Sequence, residues 1–141
     1  MTIVYFDSSA FVKLIVEEDG SDLAAGLWDG CDAAVSSRLA YPEVRAALAA
    51  AGRAGRLSPT DQDRAESLWE EFWAATRVVE LTGPVTAQAG TLASVHALRG
   101  ADAVPLASAL AIGASEVIFA VWDQRLQTGA RAAGVQTAPT V

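Results

Sequence analysis

Four acidic residues carry the chemistry this chain could perform. Asp7 follows the apolar run Ile3-Val4-Tyr5-Phe6, and Asp123 follows Val117-Ile118-Phe119-Ala120-Val121-Trp122. Asp102 opens an apolar stretch after Arg99-Gly100, and Glu43 lies among Leu39, Ala46, Ala47 and Ala50. At helical spacing Glu43 turns partly inward. An inward glutamate is costly unless it is paired or holds a metal. The chain has one lysine and nine arginines, of which only Arg38, Arg45, Arg99 and Arg125 lie near these acids in sequence. Carboxylates crowded together raise one another's pKa, and a divalent cation removes that penalty. Ligation by oxygen alone selects Mg²⁺ or Mn²⁺ over Zn²⁺. Ions held this way activate water and steady a leaving oxygen in phosphodiester hydrolysis.

The elements that must position these acids alternate. A fully apolar short run predicts a strand buried on both faces, so Ile3 to Phe6 is read as such a strand with Asp7 at its carboxyl end. Open α/β sheets place their ligands at that end. Ser8 or Ser9 is expected to cap a helix reaching Val16, and Ser21 a second one closed by Gly30. Further strands are expected at Ala33–Ser36, Arg77–Leu81 and Val117–Trp122, with an edge strand at Val135–Ala138. Helices are expected from Arg38 to Ala51, with Pro42 moving the firm start toward Tyr41, and from Pro59 to Ala75 behind a Ser58 or Thr60 cap. Others follow from Pro84 to before Gly100, from Ala103 to Ala114 and from Gln124 to Ala133. The fold class is therefore α/β: one domain over residues 1–141, with a central, mostly parallel, four- or five-stranded sheet flanked by helices.

Composition narrows the class. Hydrophobic residues make up 52% of 141 residues, which suits one packed core. The single cysteine, Cys31, forms no intrachain disulfide and suits a reducing compartment such as the cytoplasm. No basic segment precedes an apolar run at the start, so no signal peptide is read. The most membrane-like stretch, Ala103 to Trp122, contains Pro105, Gly113 and Glu116 and divides into a helix and a strand, so no membrane association is expected. A net charge of −7 argues against sequence-independent nucleic-acid binding through a basic face. It leaves room for a nucleic-acid substrate approached through metal ions, which reverse the local field.

Four motifs in order resemble the PIN-domain ribonucleases of the VapC toxin type. They are Tyr5-Phe6-Asp7-Ser8-Ser9-Ala10-Phe11-Val12-Lys13-Leu14, Ser37-Arg38-Leu39-Ala40-Tyr41-Pro42-Glu43-Val44-Arg45, Leu98-Arg99-Gly100-Ala101-Asp102-Ala103 with Leu106-Ala107-Ser108-Ala109-Leu110, and Trp122-Asp123-Gln124-Arg125-Leu126. The resemblance spans nearly the whole chain. It implies a PIN-like fold and Asp7, Glu43, Asp102 and Asp123 as the acidic quartet, serving both as metal ligands and in catalysis. It implies one or two Mg²⁺ or Mn²⁺ ions and endonucleolytic cleavage of RNA, usually tRNA or rRNA, leaving a 5′-phosphate and a 3′-hydroxyl. A homodimer and a cognate VapB-type antitoxin are implied as well. Two positions depart from the pattern. Trp122 stands where many members have a small or hydroxyl residue, and is expected to crowd the site or stack on a base. Pro105 replaces a common histidine that is not one of the quartet.

Other residues have plainer readings. Ser8 is expected to cap the first helix or support Asp7, with orienting a ligand or substrate phosphate as the alternative. Lys13, Arg38, Arg45, Arg99 and Arg125 are expected to hold the RNA backbone or form surface ion pairs. His96 reads as a surface residue and Cys31 has no assigned role. Trp69, Phe72 and Trp73 suit either the core or a partner helix. Two other functions compete with the nuclease. An Asp-nucleophile phosphatase would use Asp7, but Ser9 stands where haloacid-dehalogenase-like enzymes carry a second Asp. A catalytically silent PIN-like binding module would not need the quartet.

Overall fold

In this computed structural model, residues 1–140 are described. Twelve elements alternate: β1 (Ile3–Phe6), α1 (Ser8–Ile15), α2 (Ser21–Gly30), β2 (Ala33–Ser37), α3 (Ala40–Arg53), α4 (Pro59–Ala74), β3 (Arg77–Val79), α5 (Gly83–His96), α6 (Gly100–Ile112), β4 (Val117–Ala120), α7 (Gln124–Ala132) and β5 (Gln136–Ala138). The five strands form one sheet in the order β3-β2-β1-β4-β5, and every pairing is parallel. β1 is central: Tyr5 pairs with Val35 on one side and Phe119 on the other. Its carboxyl end therefore lies at the middle of the ligand-bearing edge of the sheet.

Alternation along β1 builds two cores. Val4 and Phe6 face an aromatic cluster with Phe11, Val44, Leu48 and Trp69, drawn from α1, α3 and α4. Tyr5 faces the opposite side, with Phe119, Leu106, Ala107 and Leu126. Phe6, Phe11 and Trp69 are fully buried, and each contributes about 1.5–3 kcal/mol by leaving water. Phe72 and Trp73 pack on the first cluster from its rim, so the three aromatics of α4 belong chiefly to the core.

Some local expectations are corrected. Asp7, not Ser8 or Ser9, is the cap of α1. Gly20, in a left-handed turn at φ 94°, precedes α2, while Ser21 turns its hydroxyl to the Val16 carbonyl and the Glu18 amide. β4 stops at Ala120 because the next two amides leave the β1 ladder: Val121 donates to the Ala138 carbonyl and Trp122 to Ser9 Oγ. β3 stops at Val79, whose carbonyl accepts from Arg38 N, and Leu81 is exposed. Pro42 is accommodated as the third residue of α3, and Ser58 caps α4 as expected. Among the described residues no helix is long and apolar enough to cross a membrane.

Candidate active site

The four acids line one cleft of about 250 Å³ together with Ser8, Ser9, Val12, Ala47, Arg99, Ala101, Pro105 and Leu126. Each reaches it from a different element. Asp7 is placed by β1: its amide donates to the Ala120 carbonyl at 3.0 Å, and its carboxylate accepts from Ser9 N at 3.3 Å and Ser9 Oγ at 2.9 Å. It is 6% exposed. Burial raises its pKa above the ordinary carboxylate range, the hydrogen bonds from Ser9 and Ser8 oppose the rise, and the charge of Asp123 adds to it.

Glu43 lies in the first turn of α3. The entry into that helix is fixed by hydrogen bonds to and within β1 and β2. Ser36 Oγ donates to the Phe6 carbonyl at 2.7 Å, Ser37 N donates to the Tyr5 hydroxyl at 3.1 Å, and Leu39 N donates to Ser37 Oγ at 3.2 Å. Burial and then the charges of Asp7 and Asp102 push the Glu43 carboxyl up to about 7, with Ser8 opposing. Tyr5, fully buried, is raised far above its usual value by burial first and by Asp7 next, so it is a neutral hydroxyl.

Asp102 stands in the first turn of α6, where the helix dipole favours a negative charge. Arg99 Nε reaches its Oδ2 at 2.8 Å and Arg99 Nη2 its Oδ1 at 3.4 Å. Asp123 is the cap of α7, and its Oδ1 accepts from Leu126 N at 2.9 Å. Pro105, inside α6, has no amide to offer the Ala101 carbonyl, and both residues line the cleft.

The donors are all oxygen, which fits a hard divalent cation rather than zinc. The buried, raised carboxyl of Asp7 and the raised one of Glu43 are groups that an ion would relieve. As the side chains stand, no three acidic, histidine or cysteine groups among the described residues close on one point. Rotation of the longer or exposed carboxylates within the cleft is needed for them to share an ion.

The other candidates separate. Ser8 and Arg99 line the cleft; Lys13 and Arg38 do not. Lys13 is paired with Glu18 at 3.0 Å and lies 5.5 Å from the Trp122 ring centre. Arg38 is paired with Glu80 on the exposed rim of a separate apolar groove. Half-buried Trp122 is not among the residues lining the cleft. Its ring packs toward α1 and Gly20, and a Cβ at Gly20 would come within 2.7 Å of its Nε1. Ser9, read in the sequence only as a possible cap, proves to be the link between two acid-bearing loops. It donates to Asp7 and accepts from Trp122 N, next to Asp123. The signal was its place two residues after a strand-end carboxylate, where a serine bonds local backbone and side chains.

This architecture, with acids from four elements at the carboxyl end of a parallel sheet, has relatives. The PIN domain family model matches residues 4–126, and the chain belongs to that family. It is 66% identical over 139 residues to Ribonuclease VapC45 of Mycobacterium tuberculosis (strain CDC 1551 / Oshkosh), a match covering 99% of this chain and 96% of that protein. Ribonuclease VapC49 of Mycobacterium tuberculosis (strain ATCC 25618 / H37Rv) matches to the same identity and coverage. Among solved structures, PAE2754 from Pyrobaculum aerophilum superposes with a TM-score of 0.70 at 19% identity, covering 99% of this chain and 92% of that one. VapBC2 from Rickettsia felis, bound to a DNA fragment from their promoter, gives 0.67 at 12% identity, covering 96% and 97%. These two likenesses are of fold.

Proposed function

We propose that this protein is a metal-dependent endoribonuclease of the VapC toxin type, held in check by a VapB-type antitoxin. The observation that carries the reading is the convergence of Asp7, Glu43, Asp102 and Asp123 on one cleft. The high identity to two proteins named Ribonuclease VapC supports the choice of RNA as substrate. The fold shared with VapBC2 supports an antitoxin partner. The unit is the single PIN domain of residues 1–141, working as a homodimer on tRNA or rRNA in the cytoplasm.

The four acids would hold Mg²⁺ or Mn²⁺. When bound, such an ion neutralises the cleft and makes water a competent nucleophile near neutral pH. The chain's own groups do the rest. Ser9 fixes the Asp7 carboxylate, Ser8 steadies Glu43, and Tyr5 with Ser37 sets the depth of α3. Water attacks phosphorus in line and the bond to the 3′ oxygen breaks, leaving a 3′-hydroxyl and a 5′-phosphate.

The test is incubation of total RNA with the purified protein in Mn²⁺ and in EDTA, with the new ends mapped. Discrete 5′-phosphate ends formed only with metal are expected; undiminished cleavage in EDTA overturns the reading. Growth arrest on expression, relieved by co-expressing the antitoxin, tests the toxin half.

A further inference from the structure

Among the described residues lining the cleft, Arg99 is the sole cation. Its guanidinium spans both oxygens of Asp102, at 2.8 and 3.4 Å. The two partners are unequally held. The Asp102 side chain is 14% exposed and the Arg99 side chain 70%. Arg99 precedes α6 in extended conformation, at φ −67° and ψ 153°, so its side chain springs from outside the helix. Beyond its chain neighbours and its own helix backbone, nothing lies within 4 Å of where a Cβ would stand on the adjoining Gly100. An exposed pair of this kind is weakly held, and Asp102 already has the helix dipole behind it.

We propose that Arg99 exchanges partners: it neutralises Asp102 while the cleft is free of metal, and passes to an RNA phosphate when a divalent ion takes the carboxylate. This rests on the ribonuclease reading and deepens it. The chemistry runs in one direction. An ion beside Asp102 cancels the charge that draws Arg99 inward and adds repulsion. The charge of Asp123, which lines the same cleft, also favours the charged guanidinium. A planar fork suited to a carboxylate suits a phosphate equally. The arginine therefore competes with the metal and cooperates with the RNA.

The experiment measures two affinities in the full-length protein and its Arg99→Gln and Arg99→Lys variants. First, Mn²⁺ binding is followed by the loss of its free-ion paramagnetic resonance signal. Arg99→Gln is expected to bind Mn²⁺ about two- to fivefold more tightly than wild type, the scale of one exposed ion pair. Arg99→Lys, which keeps the charge and loses the fork, is expected to fall between them. Equal or weaker Mn²⁺ binding by Arg99→Gln overturns the proposal and makes the arginine a brace for Asp102. Second, a short fluorescent 2′-O-methyl oligonucleotide, which carries phosphates and resists cleavage, is titrated with and without Mn²⁺. With Mn²⁺, Arg99→Gln is expected to bind it about five- to tenfold more weakly. Its log–log salt slope should also fall by about 0.7, one phosphate contact on a single strand. In EDTA the difference should nearly vanish, and a loss of equal size in both conditions overturns the exchange. Wild-type protein that binds neither Mn²⁺ nor the oligonucleotide would instead remove the ribonuclease reading beneath it.

Discussion

Asp7 and Asp123 perform the same local task at very different cost. Both follow strands that are hydrogen-bonded neighbours, and both cap the next helix through a side-chain oxygen. Asp123 does so in the open, where a cap is worth about 1 kcal/mol and the charge stays hydrated. Asp7 does so while buried, with a pKa raised by that burial. A serine or asparagine would cap α1 without the penalty. A carboxylate where a neutral cap would suffice fits the proposed role of Asp7 in chemistry, because nothing in the packing asks for its charge.

Substitutions can break this comparison or sharpen it. The largest effect is expected on cleavage: Asp7→Asn should lower the initial rate on RNA in Mn²⁺ by about a hundredfold or more, if Asp7 is the anionic metal ligand of the proposed mechanism. The same variant keeps the cap and sheds a buried charge, so its melting temperature without metal at neutral pH should rise. A fall would show that the carboxylate is structural after all. Ser9→Ala comes next. It strips Asp7 of a donor and leaves the Trp122 amide without its acceptor, which should cost about 1–3 kcal/mol in urea unfolding. Ser9→Thr should restore most of it.

A smaller effect is expected at Glu43. Its folded pKa is about 7 against an ordinary 4.5, so between those values the native state holds more protons than the unfolded one. Stability without metal therefore declines as pH rises through that window. Glu43→Gln removes the decline, and its melting temperature should exceed that of wild type by about 1–2 °C above the window, given its partial exposure, with the gap closing in acid. A gap that widens in acid would show the opposite linkage. The smallest effect is expected at Asp123→Asn, within about 0.5 kcal/mol of wild type in unfolding, because Asn caps as well as Asp.

Sequence pattern revealed more of the fold than of the hydrogen bonding. The apolar run before Asp7 marked a buried strand because a strand covered on both faces cannot alternate; that it is the middle one of five is set by long-range pairing. The helices of the aromatic core followed from their spacing, and the parallel sheet from the alternation of elements. The ends of β3 and β4 were set too late, because apolar residues continue past the point where the backbone changes partners: Val121 turns to β5 and Trp122 to Ser9. That change is a long-range event with no local signature. The same limit applies at the cleft. Strand ends and helix starts pointed to all four acids that line it. The separation of Arg99, which lines the cleft, from Lys13 and Arg38, which do not, depends on Glu18 and Glu80 meeting them across space.

The contact between Gly20 and Trp122 ties two distant positions into one unit of evolutionary change. While the indole remains, any side chain at 20 collides with it and with Lys13 as well. A lineage that trades the tryptophan for a small residue lifts the clash with the indole, leaves the flexible Lys13 stem to shift aside, and keeps the left-handed torsion of the turn. Asparagine is then the replacement the backbone tolerates first, ahead of alanine.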